Sequence, residues 1–300
     1  MESIYKKFYK AFYMKTGFIP ANILSVFPGD LVQIRNKEII LLGNIYRNGI
    51  VDPEEAAIEK NLGYNASNWS FNSGVSKSYS GRGTGNNLIE GEFEYSKQTL
   101  SFSDMGSFIF KANNPEGIKI SNWQAIKDAL IIKLTQTLYS FRDVYVVTEI
   151  ASTSDWTLAI AGAPEAELDL ATESENFGLV DIFGKESTKT IQSKDIEFYH
   201  KESRRLPNFF KAKKLTVSDD KMEAFITDYV KSNDDEKEWL HTFFDSNLEF
   251  NPIALASRHS NMLQINLLDM LSSNQLNPNT ALSYFNWANA DLNDIERLFS

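Results

Sequence analysis

The chain has 300 residues, 42% hydrophobic and 23% charged, the balance of a folded globular protein rather than a disordered one. It contains no cysteine, so disulfides, thiolate metal sites and thiol nucleophiles are excluded. A net charge of −10 argues against general nucleic-acid binding, and no apolar run approaches the ~18 residues of a transmembrane helix, so a bilayer could be crossed only with strands. The first residues lack the apolar core and cleavage signature of a signal peptide. Residues 217–300 hold 14 acidic against 5 basic residues, which is −9 of the total −10, so the acidity lies in the last third. Such asymmetry divides the chain into 1–216 and an acidic part, 217–300.

Residues 2–16 predict a short helix. Ile4, Tyr5, Phe8 and Phe12 share a face, and Lys6, Lys7, Lys10 and Lys15 against Glu2 give it a net +3. It is either a helix docked on the core or a membrane-surface segment. Gly17 and Pro20 end it. Two short runs, 31–35 and 38–42, read as a packed hairpin.

Residues 67–79 alternate. Trp69, Phe71, Val75 and Tyr79 oppose Asn68, Ser70, Asn72, Gly74, Ser76 and Ser78. The Gly-rich 80–87 reads as a flexible tip, after which Ile89, Phe93 and Tyr95 oppose Glu90, Glu92 and Glu94. A parity flip near 96–99 calls for a bulge or turn before Leu100 and Phe102. The tip lacks the Gly-Lys-[Ser/Thr] of a phosphate loop. Ser121-x-x-Gln124 is a capping-box pattern opening a helix through Trp123, Ile126, Leu130, Leu134 and Leu138.

The stretch 144–161 keeps one parity for far longer than an ordinary strand of ~5–6 residues. Val144, Val146, Ile150, Trp156, Leu158 and Ile160 stand against Tyr145, Glu149, Asp155, Thr157, Ala159 and Ala161. Gly162-Ala163-Pro164 supplies turn chemistry, and 165–172 returns with Ala166, Leu168 and Leu170 against Glu165, Glu167 and Asp169. This predicts a long amphipathic hairpin, either part of a large twisted sheet or able to enter a membrane. After the return come the run 177–183, a Lys/Thr-rich run at 185–194 and the run 196–199, and then an alternating strand over 209–215. From 218 the spacing turns helical: Met222, Phe225, Ile226 and Tyr229, then Trp239, Leu240, Phe243 and Phe244, then the apolar run 262–271. Asn277-Pro278 caps a last helix through Leu282, Phe285 and Trp287. The fold class expected is α+β, a twisted and mostly antiparallel sheet with long hairpins and flanking helices, followed by a small all-α module.

No enzyme is indicated. His200, His241 and His259 lie in different segments without metal-binding spacing, and no Gly-x-Ser-x-Gly elbow occurs. The carboxylates read as solvated faces, so no catalytic residue, metal or cofactor is expected.

Val144-Tyr145-Val146-Val147-Thr148-Glu149-Ile150 resembles a string typical of gasdermins, where it follows a helix and opens a strand that inserts into membranes. The Lys-rich 185–191 and Phe210-Lys211-Ala212-Lys213-Lys214-Leu215 agree in order, and the hairpin at 67–95 agrees in character. The resemblance covers residues 1–215. It implies a pore-forming domain over 1–216 and an autoinhibitory module over 217–300. The inserting positions it implies are Trp69, Phe71, Val75, Ile89, Phe93, Tyr95, Val144, Val146, Ile150, Trp156, Leu158, Ile160, Leu168 and Leu170. Lys6, Lys7, Lys10, Arg204, Arg205, Lys211, Lys213 and Lys214 would bind anionic lipid. An activating protease would cut at Lys213, Lys214, Asp219 or Asp220, releasing a cytoplasmic protein to form homo-oligomeric pores in the cell membrane and cause cell death. Two departures stand out: the acylated N-terminal cysteine common in bacterial gasdermins is missing, and the C-terminal module is long. The alternative is a soluble adaptor whose C-terminal helices recruit a partner.

Overall fold

The computed structural model describes residues 4–21, 24–35, 38–64, 67–87, 91–137, 144–173, 181–217, 282–283 and 285–296. In chain order the elements begin with α1 (Lys6–Thr16), β1 (Ile19–Pro20), β2 (Asp30–Arg35), β3 (Glu38–Asn44), β4 (Ile58–Gly63), β5 (Asn68–Ser73) and β6 (Val75–Asn87). Then come β7 (Gly91–Phe102), β8 (Phe108–Asn113), β9 (Glu116–Ile120), α2 (Trp123–Thr137), β10 (Val144–Ser152), β11 (Asp155–Ala161) and β12 (Ala166–Glu173). β13 (Lys189–Lys194), β14 (Ile196–Glu202), β15 (Phe209–Val217), β16 (Phe285–Asn289) and α3 (Leu292–Glu296) complete them. The fold is α+β, with antiparallel sheet predominant and helices on its flanks.

Three sheets are present among the described residues. The first runs β1-β15-β10-β2-β3, with β16 beside β15, and with β9 and then β4 beside β10. The second runs β14-β11-β8-β5 and the third β13-β12-β7-β6. β10 is the central strand of the first sheet: Val144, Tyr145, Val146 and Val147 are all buried, as a strand covered on both faces requires.

α1 packs by the face that its spacing lays out. Phe8, Tyr9 and Phe12 are buried, and Phe12 stacks on Phe209 with ring centroids 4.9 Å apart. Gly17 closes the helix in the left-handed region (φ 73°), its N–H donating to the Tyr13 carbonyl. Ser121 does not cap α2; its hydroxyl donates to the Ala57 carbonyl at 2.9 Å, tying the helix start to the chain before β4.

Two local expectations differ. The predicted tip at 80–87 is the continuation of β6, with Gly83, Thr84 and Gly85 paired to Tyr95, Glu94 and Phe93. The bulge falls there, between Ser80 and Gly83, opposite the expected 96–99. The helix expected through Phe285 and Trp287 is instead strand β16, antiparallel to β15. Apolar residues two apart fit a strand as well as a helix end, and an open neighbour edge decides for the strand. The helices expected between 218 and 281 lie outside the described residues.

Candidate membrane-inserting hairpins and their covers

The second and third sheets are two halves of the same four strands. β5 continues into β6, β7 into β8, β11 into β12 and β13 into β14, and the strand order of both sheets is the same. Residues 155–160 pair with 113–108 and residues 166–173 with 102–95 in one unbroken register. The result is two long antiparallel hairpins, 68–113 and 155–202, lying side by side across a shared crease. Every strand carries a left-handed residue there: Gly74 (φ 66°), Gly106 (φ 76°), Glu165 (φ 57°) and Asp195 (φ 55°).

This corrects the predicted second hairpin. Residues 144–161 are not one strand; the chain leaves the first sheet at 153–154, where the Ser154 N–H and hydroxyl both donate to the Asn113 carbonyl. Val144, Val146 and Ile150 therefore belong to the central strand of the first sheet, outside the hairpins. The segment 162–165 is a crease and not a reversal, since β11 pairs with β8 and β14 while β12 pairs with β7 and β13. The true partner of 155–173 is 189–202.

The crease changes which side of each strand is apolar. Trp69, Phe71, Phe108, Phe110, Trp156, Leu158 and Ile160, from the second sheet, pack in the larger core with α1. Val75, Leu100, Phe102, Leu168 and Leu170, from the third sheet, pack in a second core. That second core also takes Ile109, Ala159 and Ala161, the opposite parity of the second-sheet strands. Yet in sequence the apolar parity is continuous: odd through 69, 71 and 75, and even through 100, 102, 108 and 110 and through 156, 158, 160, 168 and 170. A straight strand would place each of these sets on one face.

Each core has a cover. On the larger core, Phe8 of α1 meets Phe108 and Phe110, and Phe12 meets Trp69, Phe71 and Phe110. The second core is closed by a strap, residues 181–188, through buried Ile182 and Phe183. Lys77 ion-pairs Asp181 at 2.6 Å, and Gln98, fully buried, donates to Asp181 and accepts from the Ile182 N–H. Burial raises the Asp181 carboxyl, but hydrogen bonds from Lys77 and Gln98 and the lysine charge outweigh it and hold the group below its ordinary range. The Thr172 and Ser187 hydroxyls meet at 2.7 Å, and Lys111 donates to the Phe183 carbonyl.

The polar side of the third sheet is Ser76 and Ser78, Thr99 and Ser101, Glu167 and Asp169, with Lys97 paired to Asp169 at 2.7 Å. Phe93 and Tyr95 are placed by backbone pairing alone, and Ile89, Asp219 and Asp220 lie outside the described residues.

The basic residues are engaged rather than gathered in a free patch. Lys7 donates to the Met105 carbonyl at the crease, Arg204 forks onto Glu202, and Arg205 pairs with Glu116. Lys6 also has a partner. Lys211 pairs with Glu149 at 3.0 Å, beneath which Tyr64 donates to the same carboxylate. Three others meet the C-terminal segment: Lys10 with Glu296, Lys213 with Asn289, and Lys214 with Asp294 at 2.9 Å. Asp294 is 1% exposed and also accepts from the Tyr145 hydroxyl and the Asp291 N–H. Desolvation raises its carboxyl above the ordinary range despite Lys214 beside it, and burial with Asp294 nearby raises the Tyr145 phenol. Trp287 donates to the Lys127 carbonyl, its ring edge-on to Trp123, and Tyr13 donates to the Ala290 carbonyl.

Lys213 and Lys214 are therefore not an exposed linker. Their strand is paired with β10 on one side and β16 on the other, which leaves a protease no free extended backbone. Neither the strap nor the Asp294 latch was foreseen in the sequence; a lone Asp and a Gln among serines carry no pattern. Among the described residues no group of His, Asp and Glu could hold a metal ion, and no helix is long and apolar enough to cross a membrane. No protein-family model matches this chain, and no characterised protein compared with it matches in sequence.

Proposed function

We propose that the chain is an autoinhibited pore-forming protein of the gasdermin kind, which binds anionic membrane, assembles with copies of itself and inserts both hairpins. The observation that carries this reading is the parity at the crease. In three of the four long strands the apolar parity runs unbroken across the crease, through 69–75, 100–110 and 156–170, while the closed fold divides that face between two cores under separate covers. Lifting α1 and the strap and straightening the crease would rejoin the halves into strands with lipid-facing Trp156, Leu158, Ile160, Leu168 and Leu170. Glu167 and Asp169 would then face a water-filled lumen. Strands in lipid must satisfy every backbone hydrogen bond, so the hairpins of successive copies close into a barrel. β6 with 13 residues and β7 with 12 already exceed the ~9–11 needed to span the hydrocarbon layer. β12 reaches that length by running on into β11.

The C-terminal segment is the inhibitor in this reading. It occupies Lys10, Lys213 and Lys214, each worth about 1 kcal/mol of attraction at an anionic surface once free. A cut between β15 and β16 would leave β16 and α3 held by non-covalent contacts alone. The closed protein is cytoplasmic and the open one lies in the cell membrane, where permeabilisation kills the cell.

The test is dye release from anionic vesicles by the full chain, with a specific protease site placed within 218–281, before and after cutting. Release only after cutting is expected, with most of it lost in Tyr79→Asp, a partly exposed hairpin position whose change leaves the core intact. A cut, folded protein that binds vesicles and releases nothing overturns the proposal. So does finding the uncut chain in assembled pores by mass spectrometry.

A further inference from the structure

β16 lies along one lateral edge of the first sheet, and β3 forms the opposite edge. Among the described residues nothing pairs with the outer side of β3. Its run Ile39-Ile40-Leu41-Leu42 leaves Ile40, Leu41 and Leu42 at 39%, 48% and 40% exposure. Ile58, on β4 along the same edge, is also exposed. Natural edge strands are normally blunted by charge or proline within the run; this one has a terminal Glu38 and a bulge at Leu42.

The strand directions relate the two edges. β15 is antiparallel to β10, β10 to β2, and β2 to β3, so β3 runs antiparallel to β15. β16 is also antiparallel to β15. A second copy displaced sideways along the sheet therefore presents its β3 to β15 in the direction that β16 already has. Charge agrees as well. With the C-terminal segment in place, Lys10 and Lys214 are answered by Glu296 and Asp294. Once it leaves, they and Lys213 lose these partners, and the arriving edge brings exposed Glu38.

We propose that β16 is an intramolecular stand-in for β3 of a second copy of this chain. Displacing β16 and α3 opens β15, and subunits join head to tail through the first sheet, independently of the hairpins. A repeated heterologous contact of this kind closes into a ring when its rotation allows. The inference deepens the assembly step of the pore-forming reading and rests on it for its purpose, but it is tested without lipid.

The experiment uses the full chain, whose lack of cysteine makes introduced thiols unambiguous. Asp294→Ala weakens the latch, and Trp287→Ala does so by a separate contact should the first variant not fold; circular dichroism selects the folded one. Sedimentation velocity should show the parent chain as a monomer and the weakened chain rising in average mass by about twofold or more. Leu41→Lys with Leu42→Lys should return it to monomer. Lys213→Cys with Asn289→Cys, which face each other across β15 and β16, should hold it monomeric when oxidised and release it on reduction. Ile40→Cys with Thr216→Cys should give disulfide-linked ladders only in the weakened chain. A folded, weakened chain that stays monomeric, or associates regardless of the β3 lysines, overturns the inference. Association without dye release leaves it standing and removes the pore-forming reading. Dye release without lysine-sensitive association does the reverse.

Discussion

Gly117 has no side chain because the Tyr64 hydroxyl stands where one would be: a Cβ there would overlap that oxygen and lie 2.9 Å from the ring carbon bearing it. Tyr64 cannot withdraw freely, since its hydroxyl donates to Glu149, which also holds Lys211. Gly117→Ala should therefore cost about 1–3 kcal/mol through overpacking and a strained hydrogen bond. Removing the obstructing oxygen with Tyr64→Phe should make the double variant less destabilised than the two single losses added together. Urea unfolding of the four proteins measures this coupling, and strict additivity would show that the two residues do not meet. Asp195 and Glu165 pose a different residue-scale question, because they hold left-handed backbone without being glycine. That conformation costs an ordinary side chain roughly 1–2 kcal/mol. Asp195→Val should destabilise the creased form by about that amount, seen as a lower unfolding midpoint. It should also speed dye release by the cut chain, because a β-branched residue favours the straight strand. Asp195→Gly should do the opposite on both counts.

Strap and latch answer pH with opposite signs. Asp181 has a folded pKa below its ordinary 3.8, so its contribution to holding the strap is complete above that value and is lost as pH falls through the lowered one. Asp169, hydrogen-bonded by Lys97 and Thr99 against the opposing effect of burial, adds to the same acid sensitivity in the third sheet. Asp294 is raised, so docking of β16 and α3 takes up a proton; it tightens as pH falls through the raised value and weakens above it. Asp291, Lys214, Tyr145 and Tyr13 all bear on this group. Hydrogen exchange, corrected for intrinsic rate, should show protection over 285–296 increasing as pH falls through the raised value toward the ordinary 3.8. Protection over 181–188 should stay flat down to about the ordinary carboxylate value of 3.8 and fall below it. Asp294→Asn should flatten the first profile and leave the second, and parallel profiles would show that the latch carboxyl does not control docking. These elements also mark what the sequence makes legible. Alternation at 75–79, 100–102 and 166–172 is a local property, so the strands and their apolar faces could be read directly. Pairing is not local: Gly162-Ala163-Pro164 has the chemistry of a reversal, and only the partners of β11 and β12 reveal a crease. Likewise Phe285 and Trp287 become a strand because β15 offers an edge 70 residues away in sequence at Thr216 and Asn286.

At the scale of the whole molecule the closed form is a set of amphipathic strands stored with their apolar faces divided, and its stability depends on the two covers staying seated together. α1 is tied to the crease by Lys7 at Met105, and to the C-terminal segment by Lys10 at Glu296 and Tyr13 at Ala290. Loss of that segment therefore loosens one cover directly. Among the described residues the strap has no bond to that segment; it is held by the third sheet through Lys77, Gln98 and Thr172 and by the second sheet through Lys111 and Lys201. In the pore-forming reading proposed above, the strap would be a second barrier, after removal of the C-terminal segment and before insertion. Thr172 and Ser187 offer a way to close it, since their hydroxyl oxygens lie 2.7 Å apart and a disulfide needs sulfurs only about 2.05 Å apart. With Thr172→Cys and Ser187→Cys in this cysteine-free chain, the oxidised, cut protein should still bind anionic vesicles, because the basic edge is uncovered. It should release dye at least about tenfold more slowly than the same protein after reduction, because a covalent strap removes the open state from the accessible ensemble. Thr172→Cys alone, indifferent to reduction, is the control. If the oxidised protein permeabilises as fast as the reduced one, the strap rides into the membrane in place, and the third sheet inserts without exposing the face that it covers.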